Sequence, residues 1–62
     1  MSQVTVNGRF GTRRVGQWDR VFSELHGKWV RLLGVEADGY LEVGDSESLK
    51  PLADLVHPTQ LA

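Results

Sequence analysis

Apolar and polar residues alternate through Gln3, Val4, Thr5, Val6 and Asn7, the period-two pattern of a strand with one buried face. Val4 and Val6 are expected to point inward. Asn7-Gly8 follows, and because both residues tolerate positive φ it predicts a turn. Residues 9–16 are basic and punctuated by glycine, which suits either a loop or a second short strand. The period then changes. Trp18, Val21, Phe22 and Leu25 fall at i, i+3, i+4 and i+7, a single stripe on a helix, so the spacing predicts a short helix over 17–26. A strand there would set Trp18 with Arg20 and Glu24, mixing apolar and charged residues on one face. Arg20–Glu24 and Glu24–Lys28 have i,i+4 spacing, and Gly27 suits the residue just past a helix end.

Residues 28–45 read as a hairpin. Residues 29–35 are β-rich, with an inward face that shifts near Leu32-Leu33, and Gly34 is placed to absorb the shift as a bulge. Asp38-Gly39 is a tight-turn dipeptide, with Val35 and Ala37 on one side and Leu41 and Val43 on the other. Residues 48–57 admit two readings. Leu49, Leu52, Ala53 and Val56 fit a helical stripe with Ser48 as N-cap and Pro51 in the first turn. Alternatively, residues 48–50 form a brief strand, 51–55 a single 3₁₀ turn and 56–57 a closing strand. Residues 58–62 are expected to be a loose tail.

A chain of 62 residues is one domain at most, and at this size folding buries only about 60% of the surface the unfolded chain exposes. Small scaffolds compensate with disulfides, a metal or a second subunit. The cysteine count is zero, which excludes disulfides and thiolate chemistry and suits a cytoplasmic protein. His26 and His57 are not in zinc-finger spacing, so no metal and no cofactor is expected. A homodimer is the remaining way to add stability. No apolar run approaches a membrane span, and no signal-peptide layout is present, so no membrane partner is expected. The five aromatic residues are enough to seed a core, with Phe22 expected inside it.

The segment GKWVRLLGVEADGYLEVGDSESLKPLADLVHP, residues 27–58, resembles the body of an SH3-like small barrel: hairpin, short strand, 3₁₀ turn, last strand. That resemblance implies a β-rich domain, a partly open barrel. With the one short helix that the spacing predicts at 17–26, where such barrels usually carry an irregular loop, the expectation is a single small β-rich α+β domain over residues 1–62. Such folds mostly serve binding to peptides, nucleic acid or other subunits. A weaker similarity lies in VTVNGRFGTRRV, residues 4–15, which looks like the opening strand and loop of AbrB/MazE-type antitoxins. It implies an alternative fold, a swapped-hairpin β-α-β-β dimer, with DNA at the basic end and a toxin at the acidic end.

Charge sharpens these expectations. Residues 1–32 hold six cations against Asp19 and Glu24, a net of +4, whereas residues 33–62 hold Lys50 against six carboxylates, a net of −5. An overall charge of −1 thus conceals a polar molecule, a hint of an electrostatic partner. Arg9, Arg13, Arg14 and Lys28 are candidates for phosphate contact, since guanidinium groups pair bidentately with phosphate. Phe10 lies between them, placed to stack on an unpaired base. Trp29 and Tyr40, with Glu42, Asp45 and Glu47, are candidates for a protein partner. Catalysis is not expected: Asp19, Ser23 and His26 lie close in sequence, but a chain this small offers little room for a cleft. The sequence therefore predicts a non-enzymatic regulatory or accessory protein that contacts nucleic acid through its basic N-terminal segment. The alternative is an adaptor or inhibitor, of phage, plasmid or antitoxin type, that docks a protein through its split charge and exposed aromatics.

Overall fold

Short runs rich in β-branched residues, separated by tight turns, fold here into two antiparallel sheets. The computed structural model describes residues 3–62. β1 (Val4–Gly8) and β2 (Gly11–Val15) pair as a ribbon, with Val4 opposite Val15 and Gly8 opposite Gly11. β3 (Arg20–Ser23), β4 (Lys28–Val35) and β5 (Leu41–Asp45) form a meander in the order β3-β4-β5. A single 3₁₀ turn spans Pro58–Gln60. The result is a small β-rich domain whose two sheets stay unclosed.

The β4–β5 hairpin is as its sequence predicts. The Asp38 carboxylate accepts from the Tyr40 N–H at 3.0 Å, Gly39 N–H donates to the Glu36 carbonyl at 2.9 Å, and the register shifts between Leu32 and Gly34. Residues 9–16 resolve into β2 rather than a loop. The turn before it lies at Arg9-Phe10, two residues beyond the expected Asn7-Gly8, because Gly8 remains in β1.

The helix expected over 17–26 is replaced by β3 and a turn, and no α-helix occurs among the described residues, so the β-α-β-β alternative lacks its helix. A helix this short is marginal in water unless packing supports it. As a strand, residues 20–23 gain a full ladder with β4, Val21 opposite Val30 and Phe22 opposite Trp29. The i→i+4 tendency survives as one turn, in which Gly27 N–H donates to the Ser23 carbonyl at 2.7 Å. Ser23, turned inward by the alternation, is fully buried, and its hydroxyl accepts from the His26 N–H and bonds His26 Nδ1 at 2.9 Å.

Later residues fold back along β5 instead of forming a helix. Leu41 and Val56 exchange two backbone hydrogen bonds, and Leu52 N–H donates to the Val43 carbonyl. The second reading of 48–57 is therefore nearer, with bridges at Pro51 and Val56, but residues 51–55 make a bend and the 3₁₀ turn comes later. His57 caps that turn through Nδ1, which accepts from the Thr59 N–H, while Gln60 Oε1 accepts from the His57 N–H. Residues 58–62 are no loose tail. Leu61 and Ala62 are buried, and Ala62 N–H donates to the Phe22 carbonyl at 3.0 Å.

Every strand feeds one core: Val6, Val15, Val21, Val30, Leu32, Leu41 and Val43, joined by Val56 and Leu61. All nine are aliphatic, and none of the five aromatic residues belongs to the core. Phe22, expected inside, is half-buried on the outer face instead, because β3 turns Val21 and Ser23 inward. Aromatic side chains ordinarily dominate small cores, so their exclusion moves the large apolar surfaces of this chain to its exterior.

Candidate nucleic-acid interface

The outer face is built by alternation. On β3 it receives Arg20 and Phe22, and on β4 Trp29 and Arg31, since Val21, Ser23, Val30 and Leu32 are inward. The tip of the β1–β2 hairpin reaches the same face and adds Arg9 and Phe10. The left-handed position of that turn falls on Gly11, φ 96°, so Arg9 and Phe10 avoid positive φ.

The three aromatic rings form one cluster. Phe10 and Trp29 are stacked, centroids 6.2 Å apart and planes within 11°, and Phe22 meets Trp29 edge-on at 5.6 Å. Arginines lie over the rings: Arg9 at 5.4 Å from the Phe10 centroid and 5.2 Å from that of Phe22, Arg20 at 5.4 Å from that of Trp29. Even so packed, Phe10 is 58% and Trp29 43% exposed.

The electrostatics of this face are one-sided. Arg20 stands directly opposite Arg31, a like-charge pair that opposes folding unless something answers it. Arg31 is partly relieved by carbonyls, donating from Nε to Ser46 at 3.0 Å and from Nη1 to Trp18 at 2.8 Å. Trp18 itself is exposed and sits at φ 73°. Among the described residues the single ion pair is Arg9–Glu24, 3.4 Å.

The predicted site residues divide. Arg9, Phe10 and Trp29, assigned by sequence to two different partners, come together here, whereas Lys28, opposite the inward Ser23, stands on the other side of β4 from Trp29 and is not part of this face. Arg13 is elsewhere: it shares the inward side of the ribbon with Val6, and its guanidinium donates to the carbonyls of Ala62 and Gly11. Arg14 is exposed on the other side of the ribbon, opposite Thr5. Arg20 and Arg31 are the members that sequence reasoning missed, and the alternation of 20–23 and 29–31 was the signal for them.

The acidic and aromatic partner set is not assembled. Tyr40 meets the His57 ring edge-on at 5.2 Å, and the register places it at the far end of β4 from Trp29, roughly 20 Å along the strand. Glu42 lies on β5 opposite Gly34, and Glu47 is exposed in the following turn. Asp45 organises that turn: its carboxylate accepts from the Glu47 and Ser48 N–H groups and the Ser48 hydroxyl. The Ser48 and then the Glu47 N–H hold its carboxyl below the ordinary 3.8, with a smaller contribution from Lys28.

Among the described residues no cleft opens in the surface, and no three His, Asp or Glu side chains gather as a metal would require. The Ser23 hydroxyl is buried within its own turn, and the Asp19 carboxylate accepts from the Gly16 N–H at 2.8 Å. What the face offers is cation and ring surface, groups that recognise anions and flat π-systems. No family model, no curated protein and no solved structure matches this chain.

Proposed function

We propose that this chain is a non-enzymatic regulatory or accessory protein that binds nucleic acid through the outer face of β3 and β4 and the tip of the β1–β2 hairpin. The observation that carries the reading is the exposed Phe10–Trp29 stack, flanked by Arg9 and Arg20 with Glu24 the one carboxylate paired there. Nucleic acid presents phosphates to the guanidinium groups and π-faces to the rings in alternation, which few other ligands do. With a net charge of −1 the attraction must be local, so affinity depends on this face alone. A meander with later residues folded back along β5 also fits the SH3-like resemblance of residues 27–58, a fold that most often serves binding.

Fluorescence anisotropy against mixed-sequence DNA and RNA at several salt concentrations tests the reading. Binding is expected to weaken linearly in log–log form as salt rises, because each phosphate contact releases condensed counterions. Arg20→Ala should weaken binding to all sequences and flatten the slope by about 0.7–0.9, the share of one contact. Silence at low salt across every strand tested overturns the proposal and leaves the adaptor alternative.

A further inference from the structure

We infer that the face takes an unpaired strand, DNA or RNA, rather than a duplex, with adjacent bases stacked on Phe10 and Trp29. This rests on the nucleic-acid reading above and narrows it. The Phe10 and Trp29 rings stack on one another with planes within 11°, so the ring surface they leave exposed is parallel. A base added to it would displace the Arg9 or Arg20 guanidinium that now lies over that ring. Successive bases of a single strand offer parallel faces in the same way. In a duplex those faces are sealed inside the stack, and only phosphates and groove edges remain in reach. A duplex laid on this surface would meet the arginines and leave the exposed part of the Phe10 and Trp29 rings uncovered by any base. Arg9 and Arg20, over Phe10 and Trp29, are where the phosphates flanking two stacked bases would run.

The one element shaped for a duplex points the other way. A two-stranded ribbon fits the major groove, and β1–β2 is such a ribbon. Its outward residues are Thr5, Asn7, Thr12 and Arg14, a single cation among them. Asn7, the side chain best suited to read adenine, accepts instead from the Thr12 hydroxyl at 2.8 Å. Arg13, which would double the ribbon's charge, is turned inward onto the Ala62 carbonyl. The ribbon therefore offers a single cation, Arg14, and an Asn7 whose amide oxygen is already engaged, whereas the sheet face has ring surface and several cations together.

The test compares four probes of equal length, about twelve residues to cover a small β-fold site: a deoxythymidine strand, a uridine strand, a mixed duplex and an abasic strand with the same phosphates. The two base-bearing strands are expected to bind at least about ten-fold tighter than the duplex or the abasic strand, the worth of one base–aromatic stack. Phe10→Ala and Trp29→Leu should each cost about ten-fold on the single strands, leave the duplex signal unchanged and keep the salt slope. Phe10 lies at a turn tip, so its removal leaves the core intact even if Trp29→Leu perturbs the sheet. Equal or tighter binding to the duplex or to the abasic strand overturns this inference and leaves the nucleic-acid reading standing. Loss of salt slope in the Phe10 variant also overturns it. Silence on all four probes overturns both.

Discussion

Glu24 sits where a phosphate would be expected. It pairs with Arg9 at 3.4 Å, both side chains about half exposed, and a pair of that kind contributes about 0–1 kcal/mol to folding. Its larger effect is competitive, since Arg9 must leave Glu24 to contact a strand. Glu24→Gln should therefore tighten nucleic-acid binding by about two- to five-fold, with a steeper salt slope and little change in melting temperature. Weaker binding in that variant would mean that Glu24 positions Arg9 rather than restraining it. At this scale the sequence marked Arg9, Phe10 and Trp29, because basic and aromatic residues stand out in any conformation, but it also marked Lys28, which the pleat of β4 turns to the other side. Arg20 was hidden behind a rule that usually holds, that a strand does not mix charged and apolar residues on one face. Arg31, on a segment read as a strand, lacked the strand partner that gives its face a meaning. Here the mixed face is the candidate site. Arg13 illustrates the opposite case: its position opposite Val6 turns a plausible phosphate ligand into a brace for Ala62.

Hairpins are the elements that sequence read best. Asp38-Gly39 fixes the β4–β5 turn locally, and the aliphatic alternation on either side agrees with it, so nothing distant needs to intervene. Residues 17–26 behaved differently because their conformation depends on β4, a partner that local periodicity does not register. Residues 48–62 carry apolar side chains at a spacing that also fits a helix, but only Val56, Leu61 and Ala62 are buried. The order of the segment comes from backbone pairing with β5 and β3, which local periodicity again does not register. The turn after β5 shows how such a segment is fixed. The lowered pKa of Asp45 means that its carboxylate bonds favour the folded turn above the ordinary carboxylate range. As pH falls through the lowered folded value, the carboxyl is protonated, the Glu47 and Ser48 N–H groups lose their acceptor, and that contribution disappears. The amide resonances of Glu47 and Ser48 should titrate together with a midpoint below 3.8, and Asp45→Asn should abolish the transition. A midpoint at or above the ordinary value would show that the carboxylate does not hold the turn.

The two sheets share one aliphatic core, yet no ladder joins β1–β2 to the meander. Residues 60–62 supply the link. Gln60 and Ala62 exchange backbone hydrogen bonds with Glu24 and Phe22 on the meander, and the Ala62 carbonyl receives Arg13 from the ribbon. Gly8 makes this possible by having no side chain: a Cβ there would lie 2.1 Å from the Ala62 carbonyl carbon and 2.6 Å from the Leu61 oxygen, backbone atoms that cannot step aside. The same link sets the hairpin tip against the sheet, because Gly8 directly precedes Arg9 and Phe10. Gly8→Ala should thus cost about 1–3 kcal/mol or more, lowering the melting temperature by roughly 10 °C in a domain this small. Arg13→Ala should also destabilise, through the loss of a part-buried hydrogen bond. If both act by releasing residues 60–62, the double variant should lose clearly less than the two single losses combined, since a segment already detached cannot be detached twice. Full additivity would mean that the ribbon is held to the meander by the shared valines alone. Nucleic-acid binding separates the two roles further. Arg13→Ala should leave the salt slope unchanged where folded protein remains, because Arg13 faces the Ala62 carbonyl and not the strand.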